Sequence, residues 1–421
     1  MIEILKKYNF WDNTTIKFGF LRKHYVNSLS KYLDNSLVKV ILGQRRVGKS
    51  YFLRMIIDHL INERKVRPEN ILYLNKDIHE LDFINNSKEL LKAIEEYKNN
   101  LRPEGRVYIF LDEVQEIKNW EKAANSLSQN YKNDYELFIS GSNANLLSAE
   151  LSTYLSGRYV GFEVFPFNYN EFLGINNAEK GRGSFAEYLQ SGGIPESYFL
   201  ADQELKINYY SSLRDSIVLR DIVHRHRVRD VYLLEKLIDF IIDSIGSYFS
   251  VNSVVNYLKS SGYKTNGETV GSYLQFLKDA YFIHSSARFD IRGKKILSGE
   301  RKYYLNDLGF KYFLSSSFDF AIGKYLENAV FLHLKRHGYS VYTGKIKGRE
   351  IDFIAEKERI RKYIQVVYLL TDESVIEREF RDLELINDNF EKIVISMDDI
   401  HFGNRNGIAH VNAWDFMAAP R

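Results

Sequence analysis

The chain has 421 residues, of which 45% are hydrophobic and 27% are charged, and its formal net charge is +3. This length predicts roughly two to four globular domains, and so small a charge does not by itself indicate a nucleic-acid partner, although it can hide a basic face. The chain has no cysteine, which excludes disulfides, thiolate zinc sites and cysteine nucleophiles.

The sequence also lacks membrane and secretion signals. Its first residues contain neither a long apolar core nor a small-residue cleavage site, so we expect no signal peptide. No apolar stretch reaches the roughly 18 residues of a transmembrane helix. With the absence of cysteine, this predicts a cytoplasmic protein and no membrane partner.

A glycine-rich segment near the amino terminus lies between an apolar run, residues 37–42, and a segment with helical spacing of apolar residues, 51–61. A buried strand followed by such a turn and a helix is the context of a phosphate-binding loop. The residues predicted to contact a nucleotide here are Gly43, Gln44, Arg45, Arg46, Val47, Gly48, Lys49, Ser50 and Tyr51.

The residue types of this loop suit a nucleoside triphosphate. Glycines let the backbone N–H groups point inward, and the helix amino terminus favours an anion. We expect Lys49 to reach the β- and γ-phosphates and the Ser50 hydroxyl to bind Mg²⁺. The side chains of Arg45 and Arg46 point outward from such loops, so a structural or interface role is as compatible with them as phosphate binding.

Two further apolar runs, residues 71–76 and 107–113, predict parallel strands. The second ends in two carboxylates, Asp112 and Glu113, which would lie where a parallel strand reaches a metal site. We predict that Asp112 holds Mg²⁺ and that Glu113 acts as the general base on the attacking water.

The next strand is predicted over residues 136–140, directly before Ser142 and Asn143. A polar side chain at this strand end would lie between the phosphates and the water, so both residues are candidates for sensing the γ-phosphate. An ordinary helix cap, which serine and asparagine also favour, is the alternative.

Several segments together resemble the AAA+-type ATPases of bacteria and archaea that carry a C-terminal domain of unknown function. The resemblance covers most of the chain and implies ATP binding and Mg²⁺-dependent hydrolysis. It is carried by residues 42–50, 110–115, 140–147, 155–159, 165–172, 191–196 and 304–309.

This resemblance gives Arg158 a possible role. In AAA+ relatives an arginine in this part of the fold often reaches the γ-phosphate of a neighbouring subunit, where it neutralises transition-state charge. Arg158 is therefore a candidate catalytic residue, and the chain a candidate homo-oligomer. An intramolecular salt bridge is the alternative.

The middle of the chain is predicted to be mostly helical. Apolar spacing indicates helices over residues 183–191, 203–226 and 231–246, which suits a helical lid. Residues 250–310 then predict two helices and a hairpin with a basic loop, the pattern of a winged helix that binds double-stranded DNA. Winged helices also bind proteins, so that alternative stays open.

The C-terminal part predicts the outline of a restriction-endonuclease-like domain. Glu327 on a helix and Asp352 on a strand are the expected Mg²⁺ ligands. Gln365, however, stands where an acid is usual, and Val367 stands where the lysine is expected, although Lys345 or Lys347 could substitute. We therefore predict an inactive nuclease frame. The two acids could instead pair with a lysine or arginine in a structural network.

The predicted fold class is α/β, with an AAA+-like P-loop NTPase domain (1–165), a helical lid (166–228), a winged helix (229–315) and a degenerate restriction-endonuclease-like domain (316–421). The predicted function is ATP binding and hydrolysis with Mg²⁺, acting as a switch or motor on a partner, with DNA expected. The alternatives are an ATP-controlled signalling or defence switch that binds protein, and an active ATP-dependent nuclease.

Overall fold

A computed structural model describes residues 1–12, 15–130, 134–147, 154–155, 157–315 and 321–419. The chain divides into two compact units, Met1–Val164 and Phe165–Arg421. Each unit is described by itself below.

The first unit contains a five-stranded sheet in which all strands are parallel. The spatial order is β2-β3-β4-β1-β5, so β4 lies between β1 and β3 and brings their carboxyl ends to one edge. The apolar runs predicted as strands form because a parallel sheet is buried on both faces. The strands are β1 (Val38–Leu42), β2 (Ile71–Asn75), β3 (Val107–Asp112), β4 (Tyr135–Gly141) and β5 (Tyr159–Glu163).

Several helices accompany this sheet. The helix predicted over residues 51–61 begins at Lys49 instead, directly after a left-handed glycine at position 48, and continues as a π-helical segment, His59–Glu63. The helix that follows β2 is capped by Asn86, whose side chain accepts two backbone N–H bonds. The helices are α1 (Ile2–Tyr8), α2 (Lys23–Ser30), α3 (Lys49–Asp58), α4 (Ser87–Leu101) and α5 (Trp120–Ser128).

The second unit begins with a helical region, as the spacing predicts. Its third helix continues through a π-helical segment, Ile217–Val223, and a last turn, His224–His226. The helices are α6 (Tyr169–Asn176), α7 (Arg182–Ser191), α8 (Gln203–Ser216), α9 (Val231–Asp243), α10 (Val251–Ser260), α11 (Gly267–Asp279), α12 (Gly309–Leu314), α13 (Ile322–Arg336), α14 (Glu373–Glu384) and α15 (Ala413–Ala418).

The second unit also contains a nine-stranded sheet, in the order β13-β14-β12-β11-β10-β9-β7-β8-β6. Its strands are β6 (Tyr248–Phe249), β7 (Ile283–Asp290), β8 (Lys295–Leu305), β9 (Ser340–Ile346), β10 (Arg349–Lys357), β11 (Ile360–Val366), β12 (Glu391–Ser396), β13 (Asn404–Arg405) and β14 (Ile408–Asn412).

One pairing joins the hairpin β7–β8 to the C-terminal strands. β7 runs parallel to β9, with Ala287 opposite Tyr342, so the two regions share a continuous sheet. The domain divisions after residues 165, 228 and 315 remain predictions, and residues 316–320, which follow the last of them, lie outside the described residues. Within the described ranges, no helix is long and apolar enough to cross a membrane.

Candidate nucleotide site

The loop between β1 and α3 needs glycine at two positions for different reasons. A Cβ on Gly43, whose φ is +147°, would lie 2.3 Å from the carbonyl oxygen of Val164, so only glycine fits there. Gly48 has φ +96°, and a Cβ there would meet no atom within 4 Å. The backbone at Gly48 therefore adopts a left-handed conformation, with open space on the side where a Cβ would lie. The preceding residue, Val47, is fully buried and fixes the loop to the core.

Lys49 is buried although it carries a charge. Its ammonium donates to the carbonyl oxygens of Gly43 and Gln44, each at 3.1 Å, and lies 3.6 Å from Oε1 of Glu113. These contacts hold the positive charge within the loop, where the phosphates of a nucleotide are expected.

Asp112 ends β3 and is fully buried. One carboxylate oxygen accepts from the Tyr73 hydroxyl at 2.7 Å, the other from the Ser140 hydroxyl, and Ser50 is a further donor. Burial, and then the charge of Glu113, raise the pKa of Asp112, while these hydrogen bonds oppose the rise. A carboxylate beside a serine hydroxyl is an oxygen donor set that fits Mg²⁺.

Glu113 follows Asp112 in a left-handed conformation, with φ +54°. Its carboxylate accepts from the Gln115 amide and faces Lys49. Burial opposes ionisation, yet the charge of Lys49, the Gln115 hydrogen bond and the charge of Arg45 together lower the pKa of Glu113. The carboxylate is therefore ionised at neutral pH, as a general base must be.

Ser140 is a site residue that the sequence analysis does not single out. Its Oγ accepts from the Glu113 backbone N–H at 3.1 Å and donates to Asp112, so it fixes both acids. A Cβ on the next residue, Gly141, would lie 2.0 Å from the Leu146 side chain and 2.5 Å from the Gln115 side-chain oxygen, so a larger residue there would require both side chains to move. In the sequence, only its position at the end of an apolar run marks Ser140. Its contact with the two acids depends on β4 lying next to β3 in the sheet.

The predicted sensor residues, Ser142 and Asn143, follow β4 and are buried. The Asn143 carbonyl accepts from the backbone N–H of Leu146, within the short helical turn Ala144–Leu147. The structure thus places both residues at the predicted sheet edge, and their sensing role remains a prediction.

An amino-terminal segment, residues 15–22, forms one wall beside the loop, which the sequence analysis does not foresee. Arg22 is buried, and its guanidinium donates to the Val47 carbonyl at 3.3 Å. A Cβ on Gly19 would lie 3.3 Å from the ring of Tyr51, which is 45% exposed. Tyr51 therefore presents an exposed aromatic face next to the loop.

Arg158 lies at the amino-terminal end of β1, whereas the phosphate-binding loop lies at the carboxyl end. Its backbone carbonyl accepts from Val38, the first residue of β1, whereas the loop follows the last. The five residues of β1 span about 15 Å, beyond the reach of an arginine side chain to its own loop. Among the described residues, its guanidinium contacts the neutral oxygens of Leu155 (3.1 Å) and Asn125 (3.4 Å) and no carboxylate.

The C-terminal acids Glu327 and Asp352 come together as predicted, but with a lysine between them. The ammonium of Lys302, on β8, lies 2.8 Å from Glu327 and 3.6 Å from Asp352. The Gln365 amide oxygen accepts from the Asp352 backbone N–H at 3.4 Å, and Val367 packs against an apolar cluster. The structure therefore shows the alternative in which Glu327 and Asp352 pair with a basic residue, here Lys302.

Comparison with known proteins identifies an AAA domain in the first part of the chain. Residues 35–173 match the family model of an AAA domain, and residues 182–319 match a domain of unknown function. Among solved structures, the Walker-type ATPase of Pyrococcus abyssi is similar, with 15% identity, a TM-score of 0.42, and coverage of 70% of this chain and 96% of that one. The RuvB Holliday junction branch migration motor of Thermotoga maritima has 12% identity, a TM-score of 0.33, and coverage of 63% and 90%.

Two relatives match almost the whole chain. An uncharacterized protein of Haemophilus influenzae is 36% identical over 379 residues, which cover 89% of this chain and 92% of the relative. An uncharacterized protein of Methanocaldococcus jannaschii is 32% identical over 385 residues, which cover 86% and 82%. With its parallel sheet and P-loop, the chain belongs to a family of bacterial and archaeal P-loop ATPases in which an AAA domain is followed by a domain of unknown function.

Proposed function

We propose that this protein binds ATP with Mg²⁺ and hydrolyses it, and that the nucleotide cycle acts on double-stranded DNA. The observation that carries the ATPase part is the convergence of Lys49, Asp112 and Glu113 at one sheet edge, with Ser140 bridging the two acids. Side chains from three different segments meet there with the charges that phosphoryl transfer needs.

Each residue has a distinct task in this proposal. The backbone N–H groups of the loop and the Lys49 ammonium bind the phosphates, and Ser50 with Asp112 holds the metal ion. Mg²⁺, when bound, neutralises negative charge on the phosphates. Glu113 accepts the proton of the attacking water, for which its lowered pKa keeps it ionised.

The DNA part rests on the region from α9 to β8, where a helix, a short strand, two helices and a long hairpin follow one another, an order that supports the predicted winged helix. Asp290 caps the hairpin turn by accepting from the backbone N–H groups of Arg292 and Gly293. The turn thereby presents several exposed cations that suit phosphate contacts. They are Arg292, Lys294 and Lys295, and Arg301 is a further exposed cation along β8.

Two observations favour the second candidate, a switch that binds protein. Glu268 and Gln275 are exposed on α11, and Ile296 in the hairpin is 55% exposed. An acidic residue on the helix that would enter the groove weakens DNA binding, and an exposed isoleucine suits a protein surface.

A DNA titration over a salt series separates the two candidates. We expect the wild type to bind mixed-sequence duplex with an affinity that falls steeply with salt, because phosphate contacts release counterions. The variant Lys294→Gln/Lys295→Gln should reduce the logarithmic salt slope by about 2. Lys92→Gln, at an exposed position on α4 of the first unit, is the control and should leave the slope unchanged.

Absence of duplex binding by the wild type at low salt would reject DNA as the partner and leave the protein-binding switch. Phosphate release without DNA is measured in parallel, because ATP hydrolysis can be correct even if the DNA partner is wrong.

A further inference from the structure

The side chain of Lys302 lies at the centre of three carboxylates in the second unit. Its ammonium is 2.6 Å from Glu350 Oε1, 2.8 Å from Glu327 Oε1 and 3.6 Å from Asp352 Oδ1. The lysine is only 4% exposed, and Glu327 and Asp352 are largely buried, so solvent screens these two contacts little, whereas Glu350 is 39% exposed. An ion-pair network this buried is unusual and requires an explanation.

The parallel pairing of β7 with β9 creates this cluster. Lys302 belongs to β8, opposite Ser286 of β7, whereas Glu350 and Asp352 belong to β10 on the other side of β9. Residues about 50 positions apart in the sequence are thereby brought to one face of one sheet, and α13 adds Glu327 from above. Sequence spacing alone cannot indicate that a hairpin lysine reaches this place.

Aromatic residues enclose the ammonium further. The Tyr248 ring centroid lies 5.3 Å from Nζ of Lys302, a favourable distance for a cation–π contact. The Tyr304 hydroxyl donates to Glu327 Oε1 at 2.8 Å, so the oxygen that faces the lysine is also held from a second side. Carboxylates and the Tyr248 ring therefore hold the ammonium in place from several sides.

The residues present do not fit the Mg²⁺ ion that a nuclease-like frame implies. Glu327 Oε1 and Asp352 Oδ1 both face the ammonium, and Asp352 Oδ2 accepts from the Val366 backbone N–H at 2.9 Å. A divalent ion about 2.1 Å from these oxygens would lie next to a positive charge. Among the described residues, no group of three or more acids or histidines is arranged to hold a metal ion.

We propose that the Lys302 ammonium takes the cation position of this carboxylate cluster, so that the second unit holds no divalent ion there. The lysine then serves as an internal counter-ion that joins the hairpin to the C-terminal strands. Its ammonium donates to Glu327 and lies within ion-pair distance of Glu350 and Asp352. This inference is independent of the proposed ATPase and DNA functions.

Mn²⁺ binding to the nucleotide-free, full-length protein tests the inference. Free Mn²⁺ is measured by electron paramagnetic resonance, and the melting temperature is recorded with and without MnCl₂. We expect Lys302→Met to gain about one bound Mn²⁺ per chain over the wild type and to melt higher with Mn²⁺, because binding to the folded state stabilises it. Lys302→Arg keeps the charge and should bind no more Mn²⁺ than the wild type.

The double variant Lys302→Met/Asp352→Asn should lose the gained ion. A folded Lys302→Met protein that binds no additional Mn²⁺ would overturn the proposal. If Lys302→Met does not fold, the wild type is compared with Asp352→Asn instead. Equal Mn²⁺ binding by these two proteins supports the proposal, and a wild-type ion that Asp352→Asn abolishes overturns it.

Discussion

The backbone N–H of Gly193 donates a 2.5 Å hydrogen bond to the carboxylate of Asp307, and this contact joins two sequence motifs 114 residues apart. The same carboxylate accepts from the Gly309 N–H and from the Tyr210 hydroxyl, each at 2.9 Å. A Cβ on Gly192 would lie 2.4 Å from this carboxylate. The motifs at 191–196 and 304–309 therefore pack against each other, and this contact accounts for both motifs without a nucleotide.

This contact predicts that Asp307→Ala destabilises the second unit. Removing the carboxylate leaves two backbone N–H groups buried without their acceptor, at a cost of about 2–4 kcal/mol, while the Tyr210 hydroxyl keeps the Ser191 carbonyl. We expect a lower urea midpoint by tryptophan and tyrosine fluorescence. Asp307→Asn keeps one acceptor oxygen and should lose less. Equal midpoints for the wild type and Asp307→Ala would contradict the assigned role.

Lys49 and Glu113 should separate binding from hydrolysis. Lys49→Ala removes the charge that faces the phosphates, so nucleotide binding should be severely weakened or lost. Glu113→Gln keeps the shape of the site and loses the base, so it should retain ATP and hydrolyse it very slowly. Nucleotide titration and phosphate release on both variants measure this. Wild-type turnover in Glu113→Gln would exclude Glu113 as the base.

The position of Arg158, far from its own loop, makes a role in a neighbouring subunit testable. Arg158→Ala should bind ATP normally and lose turnover. Mixing it with Glu113→Gln should partly restore activity, because some interfaces then pair an intact base with an intact arginine. Subunit exchange is verified by a labelled subunit. If activity stays absent at every mixing ratio, Arg158 has a structural role.

The purified protein should not cut DNA with Mg²⁺ or Mn²⁺, with or without ATP. Val367 occupies the expected lysine position, and Lys302 is engaged by carboxylates. Plasmid nicking is the measurement, with an active nuclease in the same buffer as the control. Asp352→Ala should change stability and leave no cleavage to lose. Metal-dependent cutting that disappears in both Asp352→Ala and Glu327→Ala would refute the prediction.

His410 on β14 should make the second unit sensitive to acid. It is buried, its Nε2 lies 2.8 Å from the Ser396 hydroxyl, and its Nδ1 accepts from the Phe402 N–H. Burial, and then the neighbouring His401, lower its pKa to about 4, from an ordinary value of 6.5. In this window the unfolded chain binds a proton that the folded chain does not, so lowering the pH lowers stability.

The expected slope from this one group is about 1.4 kcal/mol per pH unit between pH 6.5 and 4, with no contribution above pH 6.5. Urea midpoints at several pH values measure it. His410→Gln should flatten the dependence, whereas substitution of the exposed His79 in the first unit serves as the control and should not. An unchanged slope in His410→Gln would refute the assignment.

The phosphate-binding loop could be predicted from the sequence because its geometry is local. The left-handed backbone at Gly48, the buried strand before the loop and the helix that begins at Lys49 all follow from neighbouring residues. The acids at the end of β3 follow from the same reasoning, since an apolar run ending in carboxylates indicates a parallel strand at a polar edge. The family resemblance added the ATPase assignment.

Contacts between distant segments were decided by the tertiary structure alone. Ser140 becomes a bridge between Asp112 and Glu113 because β4 is inserted between β1 and β3, an order that strand patterns do not encode. Lys302 comes near Asp352 because β7 pairs with β9, whereas the sequence named Lys345 and Lys347 only as substitutes for the missing nuclease lysine. Periodicity determines which face a residue occupies, but the partner on that face depends on long-range strand pairing.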